Sequence, residues 1–339
     1  MQHLEREITD PVRLCNEKGQ LNPEAIGFAR QPLIESNLRG HFLRKKRWNH
    51  WCVFGPEISF SMTVSHFDYA VACSVYFLNY DNQRFHEKSI VLPFPKSMRI
   101  GSKAFESCHF SHEGLAIELK DSDGKTEMSI EADDFDNETL HAELEIRHPD
   151  SCDSLNVVIP RSRNLFQLTG KYPSLPVKGS VRIGDRKYEF DPYDSFAFLD
   201  CSRGIWPRET ARNWAIASQR VDGRIIGLNF GGKWTDGTGM TENAFFVDGE
   251  MVKIHEDVFF NYSRTDYTVP WEIRTKFSDD VRLDFFPFFE RAAKSNLRLL
   301  KSEIHQVYGY FKGYVRYPDG RKLNIRQLLG SAEDYYAKW

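Results

Sequence analysis

The sequence predicts an all-β protein built from two successive barrels or sandwiches. About twenty or more short segments show strand-type patterns, and turn signals such as Gly55-Pro56 and Gly184-Asp185 separate them at near-regular spacing. Phe, Tyr and Trp make up 14% of the 339 residues, and such residues favour pleated, half-buried surfaces. Because one small barrel uses fewer strands than this, the pattern favours two.

The N-terminal residues predict an extended arm over 1–36. Asn22 precedes Pro23, which is the arrangement of an N-cap and a first helical position, so one short helical turn is expected there. Pro32 then restores extended chain, because a residue before proline is disfavoured in the helical region.

Strand signals follow one another after this arm. They predict strands at 48–54, 57–65, 69–79, 88–93, 115–120, 127–132, 140–148, 155–159, 166–168, 179–183 and 187–190. We therefore expect a first β domain over 37–205 and a second over 206–339.

The second half begins with a predicted hairpin. Strand patterns at 214–221 and 224–230 flank Asp222-Gly223, a dipeptide typical of tight hairpin turns. Further strands are expected at 244–247, 251–254, 258–262, 271–275 and 281–286, followed by a hairpin of 303–316 and 322–328. Ser331, as an N-cap before Glu333 and Asp334, predicts a short C-terminal helix over 331–339.

Composition and charge narrow the classes of function. The formal net charge of −3 argues against a general nucleic-acid footprint. No apolar run approaches the ~18 residues of a transmembrane segment, and the polar N-terminus lacks a signal-peptide core, so a soluble cytoplasmic protein is expected. The six cysteines form no C-x-x-C pair, which predicts free thiols and no structural zinc.

Nucleotide, metal and serine-nucleophile motifs do not occur in the sequence. There is no P-loop, dinucleotide fingerprint, H-E-x-x-H or G-x-S-x-G. The sequence therefore predicts neither a cofactor nor a metal, and chemistry is left to acid–base side chains. It does not predict the oligomeric state.

Three residues are candidates for that chemistry. Asp200 ends the apolar segment Phe196-Ala-Phe-Leu, where desolvation would raise its pKa and suit a proton donor; the alternative is an ion pair or turn cap. Glu242 precedes an apolar strand and is either a proton-transfer partner or a loop hydrogen-bonding group. His305 shares a strand face with Glu303, which could orient the imidazole, although a lone strand histidine is more often structural.

Residues around these candidates are expected to bind a ligand. They carry indole, amide or charged groups close to predicted strand ends, where they could shape a pocket or serve only as core and rim. The predicted set is Arg203, Trp206, Trp214, Asn229, Trp234, Asn243 and Glu303.

Several motifs resemble known families. The segments at 37–40, 44–48, 155–160, 200–207, 231–243, 288–291 and 302–306 are similar to the bacterial family called domain of unknown function 2804. More remotely, the segments at 179–184, 188–190, 197–200, 203–204, 213–215 and 222–224 resemble the tandem lipocalin-like superfamily, which includes carotenoid hydratases of the hydroxyneurosporene synthase type and related cyclases. That resemblance implies two lipocalin-like barrels. This chain has Cys201-Ser202-Arg203 where His-Glu-Trp often follows the aspartate in that superfamily.

These observations lead to three hypotheses of function. The first is a cofactor-independent hydratase, isomerase or cyclase that binds a small, largely apolar molecule in a barrel pocket, with Asp200 as donor and Glu242 or His305 as its counterpart. The second is a non-catalytic carrier of a lipid-like ligand. The third is a glycoside hydrolase with paired carboxylates and tryptophans, for which the carboxyl groups should flank an open cleft.

Overall fold

Strands account for most of the chain in the computed structural model, which describes residues 3–93, 98–297 and 300–338. The strands are β1 Val12–Arg13, β2 Phe28–Ala29, β3 Ile34–Glu35, β4 Lys45–Phe54, β5 Ile58–Phe67, β6 Ala70–Asn79, β7 Phe85–Pro93, β8 Cys108–His112, β9 Leu115–Ser122, β10 Lys125–Phe135, β11 Glu138–Arg147, β12 Leu155–Ser162, β13 Leu165–Ile183, β14 Arg186–Phe190, β15 Phe196–Ile205, β16 Glu209–Val221, β17 Arg224–Gly232, β18 Ala244–Val247, β19 Glu250–Lys253, β20 Val258–Asn261, β21 Trp271–Thr275, β22 Val281–Leu297, β23 Leu300–Arg316 and β24 Lys322–Lys338. Within the described ranges, no helix is long and apolar enough to cross a membrane.

The first sheet curls into a nearly closed barrel. Its strands follow the order β7-β6-β5-β4-β15-β13-β11-β10-β9-β8. Near the seam, Lys88 Nζ on β7 donates to the backbone oxygen of Asp133 on β10 at 2.5 Å. The long strand β13 serves two stretches of this sheet, because it pairs with β15 up to Pro176 and with β11 from Val177 onward. Ser174 has a φ of +61° and lies in the register shift between Tyr172 and Leu175, within the stretch that pairs with β15.

The second sheet forms a half-barrel in the order β19-β18-β17-β16-β24-β23-β22-β21-β20. The predicted hairpin at its centre is confirmed: Val221 pairs with Arg224, and both turn residues, Asp222 and Gly223, have positive φ. The first sheet thus ends in sequence at Ile205 and the second begins at Glu209. The division into domains at 205/206 stays a prediction.

Each sheet has an inner face, which packs on its own apolar core, and an outer face, which is turned toward the other sheet. On the inner faces, Trp51 and Leu199 belong to the core of the first sheet, and Ala215 belongs to the core of the second. On the outer faces, Cys52, Phe54 and Phe198 of the first sheet join Trp214, Ile216 and Tyr308 of the second in one buried cluster. This cluster brings the two outer faces together.

The predicted C-terminal helix is wrong, because residues 331–338 continue strand β24. Ser331 pairs with Ile216 on one side and with Tyr308 on the other. Pairing with two strands satisfies both edges of the backbone and buries Ala332 and Glu333, so tertiary contacts override the local helix signals.

The N-terminal arm packs along the first sheet through β2, which pairs with β12. Its predicted helical turn is confirmed as a 3₁₀ helix at Pro23–Ala25, where the Asn22 side chain accepts a hydrogen bond from the Glu24 backbone N–H at 3.1 Å. Met1 and Gln2 of the predicted arm and Trp339 of the predicted helix lie outside the described residues.

Candidate active site between the two sheets

A cavity of about 610 Å³ lies between the outer faces of the two sheets. Strands β4 to β7 provide one wall, and β16, β22, β23 and β24 provide much of the other. Its prominent lining residues are Trp48, His50, Thr63, Tyr76, Glu87, Trp206, Arg212, Trp234, Arg291, Glu333 and Tyr335. The expectation of a pocket inside a barrel is therefore wrong for this cavity. The inner faces carry the apolar cores, and the polar side chains that line this cavity lie on the outer faces.

A row of polar residues crosses the first sheet at this gap. Strand pairing places Ser74, Thr63, His50, Asp200 and Lys171 next to one another on five adjacent strands. Because directly paired residues point to the same side of a sheet, all five lie on the outer face. The row runs from the cavity wall at Ser74 into the fully buried position of Lys171.

Lys171 is a buried cation held between two buried carboxylates. Its Nζ lies 2.9 Å from Asp200 Oδ1 and 3.0 Å from Glu242 Oε2, and all three side chains are at most 1% exposed. The ammonium also lies 4.6 Å from the ring centroid of Trp214. Burial acts to lower the pKa of Lys171, but the two carboxylates outweigh it and raise that pKa. Lys171 is therefore charged and joins the first sheet to the loop before β18.

Asp200 is an ionised carboxylate and not a ready proton donor. It accepts hydrogen bonds from Trp48 Nε1 at 3.1 Å and from Thr169 Oγ1 at 3.3 Å, in addition to Lys171. Burial acts to raise its pKa, but the charges of Lys171 and Arg212 prevail and hold that pKa below its ordinary value. The predicted rise in the pKa of Asp200 is therefore wrong, because the sequence did not disclose these two cations.

Glu242 is the carboxylate with the raised pKa. Burial is the main cause, and it prevails over the opposing charge of Lys171. Glu242 Oε1 accepts a hydrogen bond of 2.6 Å from Trp234 Nε1. Since Trp234 lines the cavity, this hydrogen bond links Glu242 to the cavity wall.

Arg212 and Glu333 extend this arrangement along the second sheet. Arg212 Nε donates to Glu333 Oε1 at 2.8 Å, and Arg212 Nη1 lies 3.8 Å from Asp200 Oδ2. Five groups of alternating charge, which we call the charge chain, thus run in the order Glu242, Lys171, Asp200, Arg212 and Glu333. The charge chain crosses between the sheets twice and borders the cavity at Arg212 and Glu333.

His50 is the cavity-lining histidine. Its Nδ1 hydrogen-bonds with Thr63 Oγ1 at 2.8 Å, and within the described residues its Nε2 makes no hydrogen bond. Burial, together with the nearby Arg212, Arg291 and Lys171, lowers the pKa of His50 to about 3, although Asp200 opposes the shift. His50 is therefore neutral near pH 7 and can both accept and donate a proton.

The predicted catalytic residues are only partly brought together. Asp200 and Glu242 share Lys171, whereas His305 lies on the inner face of the second sheet. There its ring stacks on Tyr267 with centroids 4.0 Å apart, and its Nδ1 hydrogen-bonds with Glu290 Oε1 at 2.7 Å. His305 Nε2 lies 3.6 Å from Glu303 Oε1, in keeping with their predicted common face. No described contact joins His305 to the charge chain.

The predicted tryptophans border the cavity or support it. Trp206 lines the cavity and packs on Trp48 with ring centroids 4.6 Å apart, and Trp234 lines it as well. Trp214 does not line the cavity but lies in the buried cluster between the sheets, and its Nε1 donates to Asn229 Oδ1 at 2.8 Å. Asn229 therefore supports the site through Trp214.

Arg203 and Asn243 hold loops. Arg203 lies on the inner side of the first sheet and donates to the backbone oxygens of Gly101, Trp48, Ser202 and Lys103 and to the side chain of Asn49. Asn243 accepts from the Gly231 N–H at 2.8 Å and donates to the Glu256 oxygen at 2.9 Å. Neither residue lines the cavity.

Sequence reasoning missed the residues that complete the site: Lys171, Arg212, His50 and Glu333. For Lys171 the sequence gives no clear signal, because β13 also contains Gln167, Thr169, Lys178 and Arg182; only its burial shows that it requires a counter-charge. For His50 and Arg212 the sequence offers only an alternating strand pattern. Among the described residues, no group of three or more His, Cys, Asp or Glu side chains could hold a metal ion.

Gly231 leaves room for the Glu242 side chain. A Cβ added at Gly231 would lie 1.9 Å from Glu242 Oε1, which is far below van der Waals contact. We expect Gly231→Ala to lower the free energy of unfolding by about 1–3 kcal/mol, because Glu242 must leave its place beside Lys171. Urea denaturation of the variant tests this, and an unchanged midpoint would show that Glu242 moves without cost.

Glu242→Gln is expected to change how stability depends on pH. The pKa of Glu242 is raised in the folded protein, so the stability that this group contributes is present below its unfolded pKa and is lost as pH rises through its folded pKa. Wild type should therefore lose more stability than Glu242→Gln as the pH rises above the ordinary pKa of a glutamate. Urea midpoints across this rise in pH, with the exposed Glu250→Gln as control, measure the difference. Parallel curves would contradict the raised pKa.

The chain has a tandem lipocalin-like fold with a polar cavity between its two sheets. The chain belongs to the family described as "Domain of unknown function (DUF2804)", whose model matches residues 5–339. No functionally curated protein matches the chain in sequence.

Solved structures show what the chain resembles. A crystal structure of a candidate AttH protein from Nitrosomonas europaea is 12% identical, covers 87% of this chain and 93% of its own, and superposes with a TM-score of 0.53. This likeness shows the fold. CghA with Sch210972 is 9% identical and covers 87% of this chain and 88% of its own, with a TM-score of 0.45. Kievitone hydratase from Nectria haematococca is 10% identical. The match covers 88% of this chain and 90% of the hydratase chain, with a TM-score of 0.42.

Proposed function

We propose that the protein is a cofactor-independent acid–base enzyme of the hydratase, isomerase or cyclase type, which acts on a small, largely apolar molecule in the cavity between the sheets. One observation carries the proposal: the neutral His50 presents a ring nitrogen without a partner among the described residues to a cavity that indoles border. The cavity volume of about 610 Å³ lies in the range of small-molecule sites.

His50 is the proposed proton-transfer group. Nε2 meets the substrate, while Nδ1 stays hydrogen-bonded to Thr63. A neutral imidazole can take up a proton at one nitrogen and release one from the other, so its low pKa does not prevent a relay.

Asp200, Glu242 and Lys171 are proposed to act through other residues. Trp48 donates to Asp200 and Trp234 donates to Glu242, so the buried carboxylates fix two indoles of the cavity wall. Preorganised groups of this kind need no rearrangement during a reaction. The charge chain therefore acts as the rigid support of the site.

Isotope incorporation tests the proposed activity on a mixture of compounds and identifies the substrate at the same time. Purified protein is incubated with a metabolite extract in ²H₂O and, separately, in H₂¹⁸O, and the extract is analysed by mass spectrometry. Acid–base chemistry predicts that at least one apolar compound gains deuterium, and that a hydratase product also gains ¹⁸O. The absence of any labelled compound, at protein concentrations that exceed trace contaminants, would contradict enzymatic function.

The carrier hypothesis has one observation in its favour. Asp200 and Glu242 are fully buried and compensated by Lys171, so neither reaches a ligand directly. A carrier predicts a ligand that co-purifies in native mass spectrometry and stays chemically unchanged. The same burial counts against a glycoside hydrolase, because these carboxylates share one ammonium and do not flank an open cleft.

A further inference from the structure

Arg212 has a fixed orientation at the cavity wall. Its Nε is bound to Glu333, and its guanidinium carbon lies 5.4 Å from the ring centroid of Trp214 and 5.1 Å from that of Tyr335. Two aromatic rings and one carboxylate thus restrain a planar group that is otherwise flexible.

The two terminal nitrogens of the Arg212 guanidinium have no hydrogen-bond acceptor among the described residues. Within the described residues neither Nη1 nor Nη2 makes a hydrogen bond, and the Nη1 contact with Asp200 at 3.8 Å is too long for one. The other guanidinium of the cavity, Arg291, is different, because it donates twice to Glu87, at 2.9 and 2.8 Å, and once to Gln306 at 3.4 Å. Arg212 therefore keeps all four N–H groups of its terminal nitrogens for a ligand, whereas Arg291 keeps only two.

The charges around Arg212 favour a neutral acceptor. Glu333 and Asp200 already compensate the guanidinium, and Glu87 already compensates Arg291. An anionic ligand would bring a further negative charge into this enclosed group, which is costly without a new cation. A carbonyl oxygen would satisfy the N–H donors without that cost.

We propose that the substrate is a carbonyl compound whose oxygen binds to the terminal nitrogens of Arg212, with its α-carbon facing His50 Nε2. This inference rests on the proposed function and specifies its substrate class. When the α C–H bond breaks, its electron pair forms a C=C bond, the carbonyl π pair moves to oxygen as an enolate, and the proton goes to His50. Arg212 stabilises the enolate oxygen, and His50 returns the proton to carbon.

Two probes of the same shape test the recognition step. 2-Acetonaphthone carries a C=O group where 2-isopropenylnaphthalene carries a C=CH₂ group, and binding of both can be followed by tryptophan fluorescence. We expect the ketone to bind at least about tenfold more tightly to wild type, because it accepts hydrogen bonds from a charged donor. The preference should fall to less than about threefold in Arg212→Gln/Glu333→Gln, which removes both members of the ion pair.

The controls separate recognition from folding and from catalysis. Arg220→Gln changes an arginine of the same strand, outside the cavity lining, and should keep the preference. Circular dichroism checks that each variant is folded, and Arg212→Lys provides a conservative variant that should keep part of the preference. Equal binding of the two probes to wild type, or a full preference in the double variant, would overturn the role of Arg212.

Deuterium exchange at the methyl group of 2-acetonaphthone in ²H₂O tests the chemical step. Wild type should accelerate the exchange, and His50→Gln and the Arg212 double variant should each lose the acceleration by at least about a hundredfold. A ketone preference without exchange would support carbonyl recognition by Arg212 and contradict the acid–base function. Exchange that the Arg212 double variant retains would support acid–base chemistry and contradict the enolate role of Arg212.

Discussion

Replacing Lys171 with methionine is expected to lower the free energy of unfolding by about 3–5 kcal/mol. The substitution keeps most of the side-chain volume and removes the ammonium that lies 2.9 Å from Asp200 and 3.0 Å from Glu242. Glu242 then remains buried without a counter-charge, and Asp200 keeps only Arg212 at 3.8 Å. Removing one partner of a buried ionic group in this way is strongly destabilising. Urea denaturation at neutral pH measures the loss, and Lys178→Met, an exposed position on the same strand, serves as control.

Two further measurements identify electrostatics as the cause of this loss. In Lys171→Met the pKa values of both carboxylates rise, so the variant should recover part of its stability at acidic pH, where they are protonated. Adding Asp200→Asn and Glu242→Gln to Lys171→Met removes the two buried carboxylate charges. The triple variant should recover most of the lost free energy of unfolding, because neutral replacement of a whole buried ionic group is often tolerated. A loss below about 1 kcal/mol in Lys171→Met would show that the buried lysine is not essential to stability.

The second large effect is expected in turnover. His50→Gln should lower kcat on the compound found by isotope labelling by about 10²- to 10⁴-fold, because general acid–base catalysis contributes that much. Glutamine keeps a polar group near Thr63 but cannot relay a proton, so folding should be preserved. His66→Gln, on the neighbouring strand β5 and outside the cavity lining, is the matched control. A variant that keeps more than about a third of the wild-type kcat would exclude His50 from proton transfer.

The pH profile offers a separate check on the state of His50. Its pKa is lowered to about 3, so it stays neutral across the physiological range. His50 should therefore contribute no step to the pH profile of wild-type kcat near pH 6.5. A histidine of ordinary pKa would produce such a step, and the step would be lost in His50→Gln.

Local sequence signals predicted much of the fold. Asp222-Gly223 fixed one hairpin because its turn requires positive φ, and strand periodicity located most of the other strands. The prediction for the C-terminal segment was wrong because Ser331 and the acidic residues after it are typical of the start of a helix. Pairing with β16 and β23, which are remote in sequence, decided its structure.

The site was harder to predict, because strand register creates it. Asp200 lies 29 residues after Lys171 and 150 after His50, and only the order β4-β15-β13 places the three side by side. His305 and Glu303 were correctly given a common face, but periodicity cannot tell whether that face is inner or outer. The pKa of Asp200 depended on Lys171 and Arg212, and so it could not be derived from the strand in which Asp200 lies.

The most direct measurement is the position of a bound substrate. A crystal structure with the compound found by isotope labelling should show that compound between the outer faces of the two sheets, against Trp48 and Trp206, with the reacting atom next to His50 Nε2 and a ligand oxygen at the terminal nitrogens of Arg212. A compound bound inside either barrel, with the cavity between the sheets empty, would contradict the assignment of this cavity as the active site.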